Sequence, residues 1–376
     1  MREKLRIKSQ KLKVEENITL DYGSGGRKMH RLIHEMFLDY FRNPILAKFE
    51  DSAELDLFSP QRSRRTQRKT MRTSRSQRCN DLSNWCFTID SYVVQPLFFA
   101  GGDIGKLSIC GTVNDLAVKG AKPLYIAVSF VIQEGMSFKT LDKICKSMSE
   151  TAKSTGVQVV TGDTKVIERK SDKDEIIITT CGIGKILAGF SNPTLSAKNI
   201  SVGDVVLING NIGDHEASVI LARGDYKFKA EVKSDCAPLH SLIERLEKEE
   251  CNIKMMRDPT RGGLATTLNE IADASGLGIT IEENKIPIQK PVRGIAELLG
   301  FDPLYMANEG KVIIIADARD KDKILKIMRN HPLGKNSMLI GEVIQRKFGL
   351  GVWLKTKIGS SRPLLQLEGF QIPRIC

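Results

Sequence analysis

The chain has 376 residues, of which 41% are hydrophobic, and it carries a formal net charge of +12. This length favours two domains over one ordinary core, and the apolar content is enough to fill both. No apolar run approaches the roughly 18 residues of a membrane span, and the basic start lacks the continuous apolar stretch of a secretory signal. Eight cysteines without a Cys-x-x-Cys pair argue against a disulfide framework, so we expect a reduced, cytoplasmic protein with no membrane partner.

Much of the positive charge lies in one segment, residues 61–80, which holds eight Lys or Arg residues and no acidic residue. A run of Arg, Ser, Thr and Gln has little apolar surface to bury, which predicts a solvated loop. An RNA-binding loop is the alternative, although the absence of aromatic residues argues against base stacking. We therefore do not expect a nucleic acid partner.

In chain order, the first half alternates short apolar strands with amphipathic helices. Its strands are predicted at residues 85–90, 124–133, 157–161 and 175–185, and its helices at residues 104–119 and 138–154. Such alternation predicts a mixed sheet covered by helices. We assign this first domain to residues 46–188, after an N-terminal segment of residues 1–45.

A second domain is predicted at residues 200–358, after a linker at 188–202 that is rich in Ser, Asn and Pro. Its strands are predicted at residues 204–209, 278–282, 311–316 and 338–342, and its helices at residues 215–223, 238–249, 263–274 and 321–330. From about Gly359 the chain becomes polar and contains proline. The pattern predicts a mobile tail at residues 359–376, since chain ends are commonly poorly ordered unless they dock.

Four acidic residues recur where strands or helices meet turns, namely Asp51, Asp90, Asp115 and Asp163. Each one alone fits a turn residue or a helix cap. Together they form a set of hard oxygen ligands suited to Mg²⁺, which bridges the oxygens of a nucleotide triphosphate. The pattern therefore indicates a polyphosphate site.

Glycine clusters at residues 23–26 and 101–106 lie close to these acidic residues in the sequence. Glycine lets the main chain approach a phosphate and present its N–H groups to it. Neither cluster matches a Walker A loop, because Ala100 stands where glycine is required and Leu107 where Ser or Thr is required. If ATP binds here, the site lies outside the P-loop class. Loop-to-helix junctions at residues 213–215 and 258–263 are further candidates for anion contact, with capping as the alternative.

A set of short motifs carries a family resemblance along the chain. These motifs are GSGG, FTIDS, GGDIGK, GTVNDLAVKGA, TGDTK, GDH, DPTRGG, NEGK and the terminal PRIC. Their order and spacing resemble those of the HypE hydrogenase maturation factors, which belong to the aminoimidazole ribonucleotide synthetase superfamily of ATP-using enzymes. The resemblance covers residues 18–376, and the terminal PRIC separates this family from its relatives.

The resemblance implies an α+β fold of two mixed α/β domains of the aminoimidazole ribonucleotide synthetase type, with a flexible C-terminal tail. It implies a homodimer formed through the first domain, with ATP and Mg²⁺ bound in the cleft so formed. The Mg²⁺ ligands implied are Asp51, Asp90, Asp115 and Asp163. The residues implied to lie near ATP are Gly25, Gly26, Lys106, Asn114, Thr161, Gly162, His215 and Arg261. The catalytic residues implied are Cys376, Lys165 and Glu309.

The implied activity is an ATP-dependent dehydration. In the family, the terminal cysteine, here Cys376, receives a carbamoyl group from the carbamoyltransferase HypF. ATP then activates the thiocarbamate oxygen, and loss of the nitrogen protons leaves a thiocyanate. The family passes this cyanide through a HypC–HypD complex to the iron of a nickel–iron hydrogenase.

Two departures and one rival enzyme qualify the resemblance. Ser52 stands where many superfamily members have a second aspartate, so Mg²⁺ coordination rests on fewer carboxylates. The basic segment 61–80 replaces a shorter, non-basic connection. The rival is selenophosphate synthetase, which shares the ATP site but uses a reactive Cys or selenocysteine near the glycine loop. This chain has no cysteine before Cys79.

Overall fold

The structure is a computed structural model and describes residues 26–34, 52–55, 84–169, 175–191, 193, 195–226 and 230–367. Some of the predictions above lie outside the described residues: those for Gly25, Asp51, the basic segment 61–80 and Cys376. Within the described ranges, no helix is long and apolar enough to cross a membrane.

The N-terminal half is built on a five-stranded sheet in the order β1-β2-β7-β5-β6. All neighbours are antiparallel except β5 and β6, which run parallel. A short ribbon, β3 with β4, follows β2. The strands are β1 (Ala53–Leu55), β2 (Trp85–Tyr92), β3 (Phe98–Phe99), β4 (Gly102–Asp103), β5 (Ala121–Gln133), β6 (Gln158–Ile167) and β7 (Ile176–Ile186).

The helices among the described residues of this half are α1 (Arg27–Leu32), α2 (Ile104–Val118) and α3 (Phe138–Thr155). Helix α2 is almost entirely buried, and Lys106 and Asp115 are its only residues that keep part of their surface. Both were predicted as functional residues. A helix that is apolar on all sides must be covered on all sides, and α2 indeed packs between the two halves of the molecule.

The C-terminal half is a seven-stranded sheet in the order β14-β13-β10-β12-β8-β11-β9. Its strands are β8 (Val205–Ile208), β9 (Ile253–Arg257), β10 (Gly278–Glu282), β11 (Ile313–Ala316), β12 (Met338–Ile344), β13 (Val352–Lys355) and β14 (Ser361–Pro363). Its helices are α4 (Asp214–Arg223), α5 (His240–Lys248), α6 (Gly263–Ser275), α7 (Lys290–Leu299) and α8 (Lys321–Arg329). Strands β9, β13 and β14 and helix α7 were not predicted.

The two halves share one apolar core. Leu116 and Ala117 of α2 lie in the same buried cluster as Leu207 of β8 and Leu242 of α5. Residues 188–202, predicted as a linker, contribute Phe190 to this cluster. The connection is therefore packed against the core, and α2 is held in place from both sides.

The structure differs from the sequence prediction at two places that matter for function. The motif TGDTK was predicted as a turn after a strand, but β6 continues through it to Ile167. The predicted tail begins later than Gly359, because Ser361–Pro363 form β14 and Leu364 is fully buried. Asn269 donates a hydrogen bond to the Leu364 carbonyl (2.9 Å), and the main-chain N–H of Arg27 donates one to the Leu367 carbonyl (3.0 Å).

Candidate functional site

Asp115 lies where α2 faces β2. Its carboxylate accepts a hydrogen bond from the Thr88 hydroxyl (2.7 Å), and its main-chain carbonyl accepts one from Ser52 (3.0 Å). Ser52, the departure from the superfamily pattern, is thus a buried contact of the helix that carries Asp115. Asp51 precedes it in sequence and lies outside the described residues.

Asp90 on β2 connects the two halves through Arg261. The Arg261 guanidinium donates to the Asp90 carboxylate at 3.2 Å, and both side chains are partly exposed. Two glycines follow Arg261, and both have positive φ angles: 73° at Gly262 and 60° at Gly263. A side chain at Gly263 would come within 2.6 Å of the Met306 carbonyl oxygen. The DPTRGG motif therefore needs both glycines to place Arg261 beside Asp90.

Glu309 is a buried carboxyl at the same junction. Its main-chain carbonyl accepts a hydrogen bond from Asn114 of α2 (3.0 Å). Burial raises the pKa of Glu309 well above its ordinary value, and the neighbouring Cys236, Asp235, Asp258 and Asp90 raise it further. A higher pKa makes the ionised carboxylate a stronger base than an exposed glutamate. Asp258, a member of DPTRGG, was missed as a site residue, although the motif itself was recognised.

Asn114 and Lys106 were predicted near phosphates, and both contact main-chain atoms in the structure. The Asn114 amide donates to the carbonyls of Ala237 (3.1 Å) and Glu309, and its oxygen accepts from the Leu239 N–H (2.8 Å). Lys106 donates to the Gly101 carbonyl (2.8 Å). Asn114 thus links the two halves, and its prediction as a phosphate contact is untested.

The aspartate of the GGDIGK loop, Asp103, is the N-cap of helix α2. Asp103 caps α2 by accepting hydrogen bonds from the N–H groups of Gly105 (2.7 Å) and Lys106 (3.1 Å). These are the donors that a phosphate at this helix end would use. In this conformation the loop acts as a helix cap, and its most exposed residue is Gly101.

His215 is completely buried under the N-terminal half. Its Nδ1 lies 2.8 Å from the Ser234 hydroxyl, and its ring meets Phe99 edge-to-face with centroids 5.3 Å apart. Burial lowers the pKa of His215 to about 4, although Asp235 opposes the shift, so the ring is neutral at neutral pH. These contacts favour the architectural role over ligand contact. Ser234 is a further contact residue that the sequence did not indicate, because it lies in a segment without helix or strand.

Thr161, Asp163 and Lys165 of the TGDTK motif lie on the face of the N-terminal sheet opposite to Asp90, whereas Gly162 lies on the face of Asp90. In the strand register, Gly162 aligns with Asp90, whereas Asp163 aligns with Ser91. Because successive side chains point to opposite faces, Asp163 faces away from Asp90, three strand spacings or about 14 Å across the sheet. Thr161 and Lys165 share the face of Asp163, and the Lys165 ammonium lies 3.9 Å from the Asp163 carboxylate. One chain therefore does not bring Asp163 or Lys165 to Asp90, Asp115 and Glu309.

The carboxylates of Asp90, Asp115 and Asp163 are of a chemical type that binds Mg²⁺, because carboxylate oxygens are hard ligands. Among the residues that the structure describes, however, no three potential ligands form a cluster. Asp90 and Asp115 would hold the ion from one chain, and Asp51 was predicted to join them. The exposed Asp163 would be available to a site formed with another molecule.

Gly26 immediately precedes helix α1, which is fixed to the C-terminal half. His30 Nε2 lies 2.8 Å from Glu270 of α6, and Arg257 holds the other oxygen of that carboxylate at 3.0 Å. Gly26 is buried. Arg27, which follows Gly26, is hydrogen-bonded to Leu367, so Gly26 lies close to Leu367.

Comparisons with known proteins give the family. Residues 76–186 match the N-terminal domain model of the AIR synthase related proteins, and residues 201–352 match its C-terminal domain model. Carbamoyl dehydratase HypE of Escherichia coli K12 is 42% identical over 360 residues, covering 96% of this chain and 99% of that protein. The chain belongs to the HypE family of AIR synthase related proteins. Membership confirms the predicted two-domain α+β fold and the expectation of an enzyme.

Two solved HypE structures are similar along most of the chain. A HypE–HypF complex has a TM-score of 0.77 and 43% identity, covering 89% of this chain and 99% of that one. A HypE in complex with ATP has a TM-score of 0.73 and 40% identity, covering 96% of this chain and 100% of that one.

Proposed function

We propose that this chain uses ATP to dehydrate a carbamoyl group on the sulfur of Cys376, giving a thiocyanate that supplies cyanide for nickel–iron hydrogenase maturation. Support comes from relatives named carbamoyl dehydratase and from the HypE structure solved with ATP. The observation that carries the proposal is the buried Glu309 carboxyl. Its raised pKa and its place beside Asp90 suit a proton acceptor next to a polyphosphate site.

The proposed reaction begins at the carbonyl oxygen of the S-carbamoyl group. This oxygen attacks the γ-phosphorus of ATP, the new O–P bond forms as the bond from the γ-phosphorus to ADP breaks, and one N–H proton passes to water. Glu309 then takes the remaining N–H proton. The C–O bond breaks, the C≡N bond forms and inorganic phosphate departs. Mg²⁺, held by Asp90 and Asp115, would neutralise phosphate charge.

We further propose that two copies of the chain complete each site. The face that carries Thr161, Asp163 and Lys165 also exposes apolar side chains in a row across the sheet, at Phe87, Ile183 and Tyr125. Such an exposed apolar face on a sheet suits a protein interface. A partner copy bound to this face could supply Lys165 to stabilise negative charge on the reacting thiocarbamate.

The proposed partners follow from the family. A HypF-type carbamoyltransferase would load Cys376, which agrees with the HypE–HypF complex among the relatives. A HypC–HypD complex would accept the cyanide. Both encounters, and the enzyme itself, are proposed for the cytoplasm.

The test is mass spectrometry of the C-terminal peptide after incubation with HypF, carbamoyl phosphate and Mg·ATP. We expect Cys376 to gain a carbamoyl group and then to lose one water only when ATP can be cleaved. A parallel incubation with a non-hydrolysable ATP analogue should stop at the carbamoyl stage, and Cys376→Ala should retain ATP binding without product. Consumption of ATP with an unmodified Cys376 would instead point to another acceptor of the superfamily.

A further inference from the structure

Asp235 is a buried carboxylate with no role in the reaction proposed above. It accepts hydrogen bonds from the main-chain N–H of Glu309 (3.2 and 3.3 Å to its two oxygens) and of Gly310 (3.1 Å). The Lys311 ammonium lies 3.0 Å from the same carboxylate, and both side chains are nearly inaccessible to solvent. One side chain therefore holds three consecutive residues of the NEGK motif.

The groups around Asp235 stabilise its negative charge. Burial would raise its pKa, but the charge of Lys311 and the hydrogen bonds from Lys311 and the Glu309 N–H outweigh this effect and hold the pKa below its ordinary value. Asp235 is thus an ionised acceptor, and hydrogen bonds to ionised acceptors are shorter and stronger than neutral ones. A buried ion pair adds little net stability over an apolar pair, since desolvation offsets the attraction. The geometry imposed on the loop explains the pair better than stability does.

The loop is held from its other side as well. Asn114 donates to the Glu309 carbonyl (3.0 Å), and Asn209 donates to the Gly310 carbonyl (3.1 Å). Any side chain at Gly310 would collide with the main-chain carbonyl oxygen of Asp235. Both peptide groups that flank Glu309 are therefore held by hydrogen bonds. The contact with Asn114 also fixes their position relative to Asp115, which follows Asn114 in α2.

We propose that Asp235 is a positioning residue that sets the direction of the Glu309 carboxyl toward the reacting thiocarbamate. The inference rests on the proposed function, in which Glu309 takes a proton from nitrogen. Proton transfer demands hydrogen-bond distance and direction, and a displacement of about 1 Å can cost about 100-fold in rate. Asp235 does not touch the substrate and acts only through the loop.

Asp235→Asn tests this, because the amide preserves the side-chain volume but offers one acceptor oxygen where two are used. Protein already carbamoylated at Cys376 is mixed with saturating Mg·ATP, and thiocyanate formation is followed by mass spectrometry. We expect turnover to fall about 10- to 100-fold, whereas the ATP dissociation constant changes less than about twofold. Amide hydrogen exchange should accelerate in the peptide that contains Glu309 and Gly310.

The matched control is Asp204→Asn. Asp204 is also a buried carboxylate of the C-terminal half that accepts a main-chain N–H, from Ser201 at 2.7 Å, but it lies at the opposite end of β8 from Asn209. This variant should keep wild-type turnover. If Asp235→Asn does not fold, because Lys311 loses its partner, Asp235→Asn/Lys311→Met removes both charges and carries the same expectation.

The outcomes separate the two proposals. Wild-type turnover in a folded Asp235→Asn protein, or an equal loss of turnover and ATP affinity, overturns the positioning role. Absence of thiocyanate from the wild-type protein overturns the proposed function instead. In that case unchanged hydrogen exchange in Asp235→Asn would also remove the structural basis of the inference.

Discussion

Two buried titratable groups at the junction of the halves are shifted in ways that suit different tasks. Burial raises the pKa of Glu309 and lowers that of His215, because low polarity disfavours the charged form of each. The Glu309 carboxylate thereby becomes a stronger base, whereas the imidazole is kept neutral. Of the two, Glu309 is the group that we propose to move a proton.

His215 makes the stability of the protein depend on pH in a definite direction. Its pKa is about 4 when folded, against 6.5 when unfolded, so the unfolded chain binds the proton first as pH falls. The stabilisation is complete above pH 6.5 and is lost as pH falls toward 4, by up to about 3 kcal/mol. We expect His215→Gln to be less stable at pH 7 but to lose less stability on acidification. Denaturant unfolding of both proteins from pH 4 to 7 checks this, and parallel curves would contradict it.

The sequence motifs predicted four acidic ligands in one site, but they did not predict that Asp90 and Asp163 lie on opposite faces of the sheet. Asp90 and Asp163 follow similar apolar runs, and a glycine before Asp163 favoured a turn there. The structure keeps Gly162 inside β6, where a side chain would collide with the Val128 carbonyl oxygen of the neighbouring strand. Which residues face which side depends on strand register, and register depends on contacts distant in sequence.

Among the elements, α2 was predicted almost to the residue and β6 was not. Helix α2 carries local signals, namely an aspartate cap and a long apolar run, so its bounds follow from short-range physics. Strand β6 is an edge strand whose residues are all exposed, and it lacks the alternation that marks a half-buried strand. The short strand β14 is likewise exposed along its length, whereas β13 was missed because its apolar run at residues 352–354 is too short to show a period.

The cap of α2 gives a prediction at the scale of this element. Asp103→Ala leaves the N–H groups of Gly105 and Lys106 without their acceptor, which should lower the free energy of unfolding by about 1 kcal/mol. Asp103→Asn should lose much less, because asparagine also caps helices. Thermal unfolding of the three proteins measures the difference. An equal loss in both variants would mean that charge, not capping, is what Asp103 contributes.

At the scale of the whole molecule, the two halves of the proposed site lie on opposite faces of one sheet. Glu309 is buried where the domains meet, and Lys165 is exposed on the free face. The family resemblance predicted a dimer without giving a reason for it. The register of β2, β7, β5 and β6 places Lys165 on the face opposite to Asp90, and the proposed second copy is our explanation of how Lys165 and Glu309 act in one site.

Subunit mixing tests the two-chain site. Lys165→Ala and Glu309→Gln should each abolish thiocyanate formation when prepared alone. After the two variants are unfolded and refolded together, half of the dimers are mixed and each mixed dimer has one intact site, so about a quarter of wild-type activity should return. Refolding each variant separately is the control. No recovery from a mixture shown to contain mixed dimers would place Lys165 and Glu309 in the same chain's site.

The hydrogen bond between Arg27 and Leu367 holds the start of the C-terminal segment that carries Cys376, the proposed carrier of the substrate. It therefore limits how far the carbamoyl group can move from the rest of the protein. Nine residues follow Leu367, and even a fully extended chain of that length spans only about 30 Å. The chain length therefore limits the Cys376 thiol to within about 30 Å of Leu367, and we expect an effective concentration in the millimolar range or above. A separate peptide ending in PRIC would need comparable concentrations to compete, and turnover of the loaded enzyme should not change on dilution as long as the dimer persists.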